Sequence, residues 1–195
     1  MPIRLTVKKK PLKGSGPLSA ESWVDAAMRV LSKKGIESVR VEPLAKMLGV
    51  TKGSFYWHFH DRSALLDAML MSWRRRATLA IIERMERGQT DPSERLRALI
   101  ALPKRSLRSV DGADIEASMR LWARTDPKAA ATIRDIDELR LDYIVELLAV
   151  SRRNPSDARP RAVLVYAFIL AEAALGTAID AECYAQCERL LLPPD

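Results

Sequence analysis

The sequence predicts an all-α fold, and three observations predict it. Apolar residues recur at three- and four-residue spacing along most of the 195 residues, and no convincing alternating strand pattern occurs. Capping side chains followed by proline recur at Asp91-Pro92, Asp126-Pro127 and Asn154-Pro155. The chain is 48% hydrophobic and 29% charged, which suffices for a core and excludes disorder throughout. With 8 glycines and 6% aromatic residues it is not collagen-like or repetitive.

The elements follow in order. Ser19 is placed to cap a first helix in which Trp23, Ala26, Ala27, Val30 and Leu31 share a face, and Gly35 stops it. A short helix is expected around Pro43–Leu48, then Gly49, then another helix beginning near Thr51. Asp61 is a cap for a long helix carrying Leu65, Leu66, Met69, Trp73 and Ala77, which ends by Gly88. Asp91-Pro92-Ser93-Glu94 combines a cap, a proline at the first helical position and a capping Glu three residues on. Asp111-Gly112 reads as a turn, and Asp180 caps the last helix. About nine helices result.

The charge is unevenly placed. The chain carries a formal +7, and residues 1–62 hold 12 Lys+Arg against 5 Asp+Glu, whereas residues 63–195 hold 20 of each. A basic module is therefore attached to a neutral one. Residues 1–17 form a basic arm with Arg4, Lys8, Lys9, Lys10 and Lys13. The arm reads either as a solvated tail or as a segment that tracks phosphates or the minor groove. No signal peptide is evident, and a cytoplasmic location is expected. The apolar run Ala162–Ile179 has about the minimum length of a membrane span, but Glu172 in its middle is costly in lipid. A buried helix in a bundle or a dimer interface fits it better.

Residues 40–59, RVEPLAKMLGVTKGSFYWHF, carry the physics of a helix-turn-helix. Leu44, Ala45 and Leu48 make the inner face of the first short helix, and Gly49 supplies a left-handed turn. Val50 closes the small core, and the Thr51 hydroxyl is expected to cap the second helix. Phe55 and Phe59 face inward. Lys52, Gly53, Ser54, Tyr56 and His58 make an outward row of donors suited to phosphates and base edges. Gly53 would let backbone approach DNA. An aromatic run such as Phe55-Tyr56-Trp57 is by itself more often core than contact.

The segment GIESVRVEPLAKMLGVTKGSFYWHFHDRSALLDAML, with its LGV-x₄-FYWHF core, resembles the DNA-binding domain of the TetR family of bacterial transcriptional regulators. The resemblance covers roughly residues 18–77 and leaves residues 78–195 for a larger domain of dimerisation and ligand binding. It implies a homodimer that binds a double-stranded operator and is released by a small-molecule effector, and so most simply a repressor. Lys52, Gly53, Tyr56 and His58 fall where the family's recognition helix meets DNA, with Thr51 and Ser54 beside them. Arg62 falls at a phosphate-binding position. The family usually places Ser or Thr at the start of the first short helix. Arg40 and Val41 stand there instead, so only a phosphate role passes, to Arg40. Two alternatives stay open: a ligand-independent DNA-binding protein of the same fold, and a helical small-molecule-binding protein or enzyme.

In the second half Trp73, Met85, Leu99, Leu102, Met119, Leu121, Trp122, Ile136, Tyr143 and Leu147 are candidates to line an apolar cavity or simply to pack a core. Trp122 and Tyr143 are chosen as ligand contacts, because a buried aromatic with a polar atom needs a partner. No charged cluster stands out to define ligand chemistry. Ala167, Ala171, Ala174 and Ala178 line one helix that, with the helix of 181–192, suits a four-helix dimer interface. Enzyme chemistry is not expected: His58 and His60 have no paired nucleophile, and there is no phosphate loop. Cys183 and Cys187 lie one turn apart without other metal ligands, so neither metal nor cofactor is expected, and packing explains them better.

Overall fold

A computed structural model describes residues 18–88, 91–102, 112–151, 157–175 and 179–192. The described residues contain helices, turns and no strand. The arm of residues 1–17, Asp111 and the Asn154-Pro155 pair lie outside them.

Local chemistry sets most helix ends. In α1 (Ala20–Lys34) the Ser19 hydroxyl accepts the Ser22 N–H, and Gly35 at φ 75° ends the helix by bonding its N–H to the Leu31 carbonyl. A 3₁₀ turn (Ile36–Ser38) leads to α2 (Val41–Leu48) and α3 (Lys52–Tyr56). Asp61 caps α4 (Arg62–Arg74), its Oδ1 accepting the Ala64 N–H at 2.8 Å. Asp91 caps α6 (Pro92–Ile100) and Asp180 caps α10 (Ala181–Leu191) in the same way. Asp126 Oδ1 accepts from the N–H groups of Lys128 and Ala129 at the start of α8 (Pro127–Ser151). Between these lie α5 (Ala80–Gly88), α7 (Gly112–Ala123) and α9 (Ala158–Leu175).

One departure from the expected pattern lies in the long helix. Between α4 and α5 the chain widens into a π-helical turn, Arg75–Leu79, in which the Ala80 N–H reaches back five residues to the Arg75 carbonyl. Counting α4, this turn and α5 as one continuous helix, nine helices stand among the described residues, as the sequence suggests.

The helices bury two apolar clusters. In the first, Trp23, Leu31, Leu44, Phe55, Leu65 and Met69 hold α1–α4 together. Trp23 and Phe55 meet edge-to-face at 5.2 Å, a geometry that suits the aromatic quadrupoles. This cluster continues without a break into Met119 and Trp122 of α7 and Ile133 and Ile136 of α8. The small helical head is thus seated on the larger half through shared apolar burial. Each such fully buried side chain contributes roughly 1.5–3 kcal/mol. The second cluster joins α6, α8, α9 and α10 through Leu96, Ile100, Ile144, Leu147, Val165 and Tyr184.

Along α9, Ala162, Val165 and Tyr166 are buried in this second cluster, while Val163, Leu164 and Ala167 are exposed. No helix among the described residues is long and apolar enough to cross a membrane. The side chains of Glu172 and Ala174, and Ala178 entirely, lie outside the described residues.

Candidate nucleic-acid interface and adjoining cavity

Helix α2 ends in a Schellman turn. The Val50 N–H bonds to the Ala45 carbonyl (3.0 Å) and the Gly49 N–H to that of Lys46 (3.3 Å). Gly49 takes φ 72° and ψ 28°, a left-handed conformation that side chains resist. This turn aims α3 away from α2. Phe55 and Phe59 then anchor α3 and the residues after it to the core, at 0% and 8% exposure.

The opposite side is open. Thr51, Lys52, Gly53, Tyr56 and His58 are exposed and Ser54 is half-buried, so the structure brings the expected row together on one surface. Trp57, which the expected row of donors omits, belongs to that surface too, at 88% exposure. Its signal was the period: Phe55 and Phe59 define the buried side, and position 57 lies well round from it.

Other residues behave differently from expectation. Thr51 does not cap α3 with its hydroxyl; the Ser54 N–H bonds instead to the Thr51 backbone carbonyl at 3.1 Å. Lys52 Nζ pairs with Glu42 Oε1 at 2.5 Å. The bond to Lys52 holds the Glu42 carboxyl below the usual range, and the same bond raises the Lys52 ammonium. Arg62 donates from Nε to the Val39 carbonyl (2.7 Å) and from Nη2 to that of Ile36 (2.9 Å), so it braces the loop that leads into α2. Arg40 is exposed at the N-cap of α2 and makes no capping bond, consistent with the missing hydroxyl; its Nε donates to the Glu37 carbonyl.

Residues 24–69 match the family described as "Bacterial regulatory proteins, tetR family". That stretch is a TetR-family DNA-binding segment. Among its relatives in that family, the tetracycline repressor protein class D of Escherichia coli is 40% identical over 52 residues, covering 27% of this chain and 24% of that repressor. The chain therefore aligns with about a quarter of the length of that relative. Solved structures show likeness of fold over most of the chain. A regulator from Saccharomonospora viridis, solved in complex with choline, superposes with TM-score 0.67 at 19% identity, covering 88% of this chain and 92% of that one. The regulator FadR from Bacillus subtilis, solved in complex with stearoyl-CoA, gives 0.66 at 18% identity, covering 88% and 97%.

A cavity of about 360 Å³ opens directly beneath this TetR-like head. Met28 of α1, Ser72 and Trp73 of α4, and Arg76–Thr78 of the π turn form its upper wall. Tyr143 lines it, and so do Trp73, Leu99 and Leu102. Trp122 does not line it; it is 3% exposed in the core shared with the head, where α7 meets α1. Leu121 is exposed, and Met85, Met119, Ile136 and Leu147 pack in the two apolar clusters.

A charged cluster does stand in this wall, contrary to the sequence expectation. Arg140 donates to Thr78 Oγ1 (3.2 Å), the Ala77 carbonyl (3.1 Å), Tyr166 Oη (2.9 Å) and both oxygens of Glu116 (3.2 and 3.1 Å). Those five bonds use all five guanidinium N–H groups. Arg120 joins Glu116 to Asp137, and Tyr166 donates to Asp137 at 2.6 Å. Burial would raise the Asp137 carboxyl, but the bonds from Arg120 and Tyr166 outweigh it and hold the group below its ordinary value. Burial and the Asp137 acceptor outweigh the nearby Arg140 charge and push the Tyr166 hydroxyl up to about 12. Burial and Glu86, which accepts a hydrogen bond from its hydroxyl, push Tyr143 up to about 12. Arg140 thus ties the π turn at the base of the head to α7 and α9.

Cys183 is exposed and Cys187 is half-buried on α10, and among the described residues no group of three metal-ligating side chains forms.

Proposed function

We propose that the protein is a dimeric DNA-binding transcriptional regulator, a repressor that a small-molecule effector releases from its operator. The observation that carries this reading is the split of α3 into a buried Phe55–Phe59 side and an exposed side bearing Lys52, Gly53, Tyr56, Trp57 and His58. A recognition helix needs that arrangement, with base-reading side chains held by a fixed core. Arg40, Thr51, Ser54 and Arg62 flank it as backbone contacts. Arg62 reaches phosphate only through the guanidinium N–H groups not spent on Val39 and Ile36.

Residues 18–77 form the reading head and 78–195 the dimerising, effector-binding body, with residues 1–17 as a basic arm. Two heads of a dimer would enter successive major grooves about 34 Å apart. The cavity supports effector control, because any molecule filling it touches α1, α4 and the π turn together. Its Tyr143 is the ligand contact we retain. Coupling of about 1–3 kcal/mol between the two sites would suffice for a measurable response. A ligand-independent regulator of this fold would more simply have a filled core.

The test is direct. Duplexes selected by the protein from a random library are titrated against wild type, Lys52→Ala and Tyr56→Ala at physiological salt. Each substitution is expected to weaken binding by about 1–3 kcal/mol. Undiminished binding by both variants would overturn the assignment of α3 as the reading helix.

A further inference from the structure

Three charged side chains line the cavity, Arg76, Glu116 and Arg140, and each is already paired. Arg76 bonds to Asp25 and Glu21 of α1. Arg140 has no guanidinium N–H left over, and the Tyr166 hydroxyl donates to Asp137 while accepting from Arg120 and Arg140. Behind the wall Arg120 and Asp137 complete a set of two cations and two anions. The side chains of Arg140 and Glu116 are only 16% and 18% exposed, so solvent would replace a lost partner poorly. Most of the remaining wall is apolar, including Ile81, Ile82, Leu99, Ile115, Ile144 and Ile169.

We infer that this cavity takes an uncharged ligand with an apolar body, and that the Glu116–Arg140 pair is the device that excludes charged ones. The inference rests on the cavity being the effector site. A carboxylate entering it would meet at Arg76 a half-exposed cation already shared by Asp25 and Glu21, and to pair in the buried wall it would have to take Arg140 from Glu116, stranding one anion among apolar groups. An ammonium at the one open acceptor position of Glu116 would stand beside the Arg120 and Arg140 cations, which repel it, and to gain more it would have to take Glu116 from Arg140, stranding a cation. Either exchange leaves a buried ion unpaired, which is expensive. An uncharged molecule leaves the network whole and gains the burial of its apolar surface. Among the described residues three bonds reach the Glu116 carboxylate, which has roughly four acceptor positions, so one hydroxyl or amide N–H can still be accepted. The cavity volume lies within the usual range for drug-sized ligands.

Decanol, decanoate and decylammonium, matched in chain length, test this on the full chain near neutral pH by calorimetry and thermal shift. Decanol is expected to bind at least about tenfold more tightly than either ion. Leu102→Trp, which fills the cavity, is expected to abolish that binding. Equal binding of an ion that Leu102→Trp also abolishes overturns the inference and leaves the cavity standing as a ligand site. Binding of none of the three by wild type, or binding that Leu102→Trp leaves unchanged, overturns the effector reading and the inference with it. Glu116→Gln frees Arg140 and is expected to raise decanoate about tenfold relative to decanol, while Arg140→Gln does the same for decylammonium. If one variant fails to fold, the wild-type comparison and the other variant decide. A folded variant whose selectivity does not move counts against the pair as the excluding device.

Discussion

Lys52 of α3 is ion-paired to Glu42 in the first turn of α2, with 2.5 Å between Nζ and Oε1. The pair crosses the helix-turn-helix and sets a carboxylate beside the surface proposed to meet phosphate. Replacing Glu42 with Gln removes that anion and releases Lys52. DNA affinity is expected to rise, and the slope of log affinity against log salt to steepen by up to about 0.9, the equivalent of one added phosphate contact. Fluorescence anisotropy over a salt series reads both. No change in either quantity would mean that the pair lies off the DNA surface.

Gly53 separates a folding role from a contact role. A Cβ built there would meet only Thr51 Oγ1, at an ordinary 3.6 Å, so the free protein has room for alanine. Gly53→Ala should therefore leave the fold intact and stabilise it by roughly 0.5–1 kcal/mol, since glycine is the poorer helix former. Operator affinity should nevertheless fall, because the added methyl stands where backbone approaches DNA. A variant that gains stability and binds as well as wild type would show that no close approach occurs at this position.

What was legible in the sequence was local. Ser19, Asp61, Asp91 and Asp180 cap helices because each side chain needs only the N–H groups two or three residues ahead. Gly49 is the same kind of signal. Thr51 misled because its own backbone carbonyl took the bond expected of its hydroxyl. The cavity was less legible. Arg140 finds Thr78, Glu116 and Tyr166 at separations of 62, 24 and 26 residues, and no periodicity links such positions. Nor does Arg75–Leu79 carry a glycine or proline to announce the π turn. Its only buried polar side chain, Thr78, accepts from Arg140. An aromatic residue such as Trp122 advertises burial in a sequence, whereas a guanidinium such as that of Arg140 reveals it only through its partners.

The network predicts a pH dependence with a definite sign. Against the cost of its burial, bonds from Arg120 and Tyr166 hold the folded Asp137 pKa below the ordinary 3.8. A group depressed on folding contributes stability above its unfolded pKa and loses it as pH falls through the folded value. Asp137→Asn should cost stability at neutral pH, toward the low end of about 3–5 kcal/mol because the side chain is 28% exposed. The gap between variant and wild type should narrow as pH drops below 3.8. Urea denaturation at about pH 7 and about pH 3 measures it, and a gap constant across that range would remove Asp137 from the acid response.

The exposed side of α9 carries the last prediction. Val163 and Leu164 are 48% and 60% exposed there, and Leu190 on the packed neighbour α10 is 81% exposed. Isolated apolar residues on a surface need no explanation, but these lie on the pair of helices expected to make the dimer. Leu164→Glu is chosen because that side chain packs in neither apolar cluster, so the fold does not depend on it. In a dimer each copy would cover about 800 Å² of its partner, and a carboxylate buried there without a cation would be costly. Light scattering after size exclusion should show a dimer for wild type at micromolar concentration and a helical monomer for the variant. Operator affinity should fall with it, since a single head makes half the contacts. A wild type that is strictly monomeric would remove the dimer from the proposal. A Leu164→Glu protein that remains dimeric would move the interface off this part of α9.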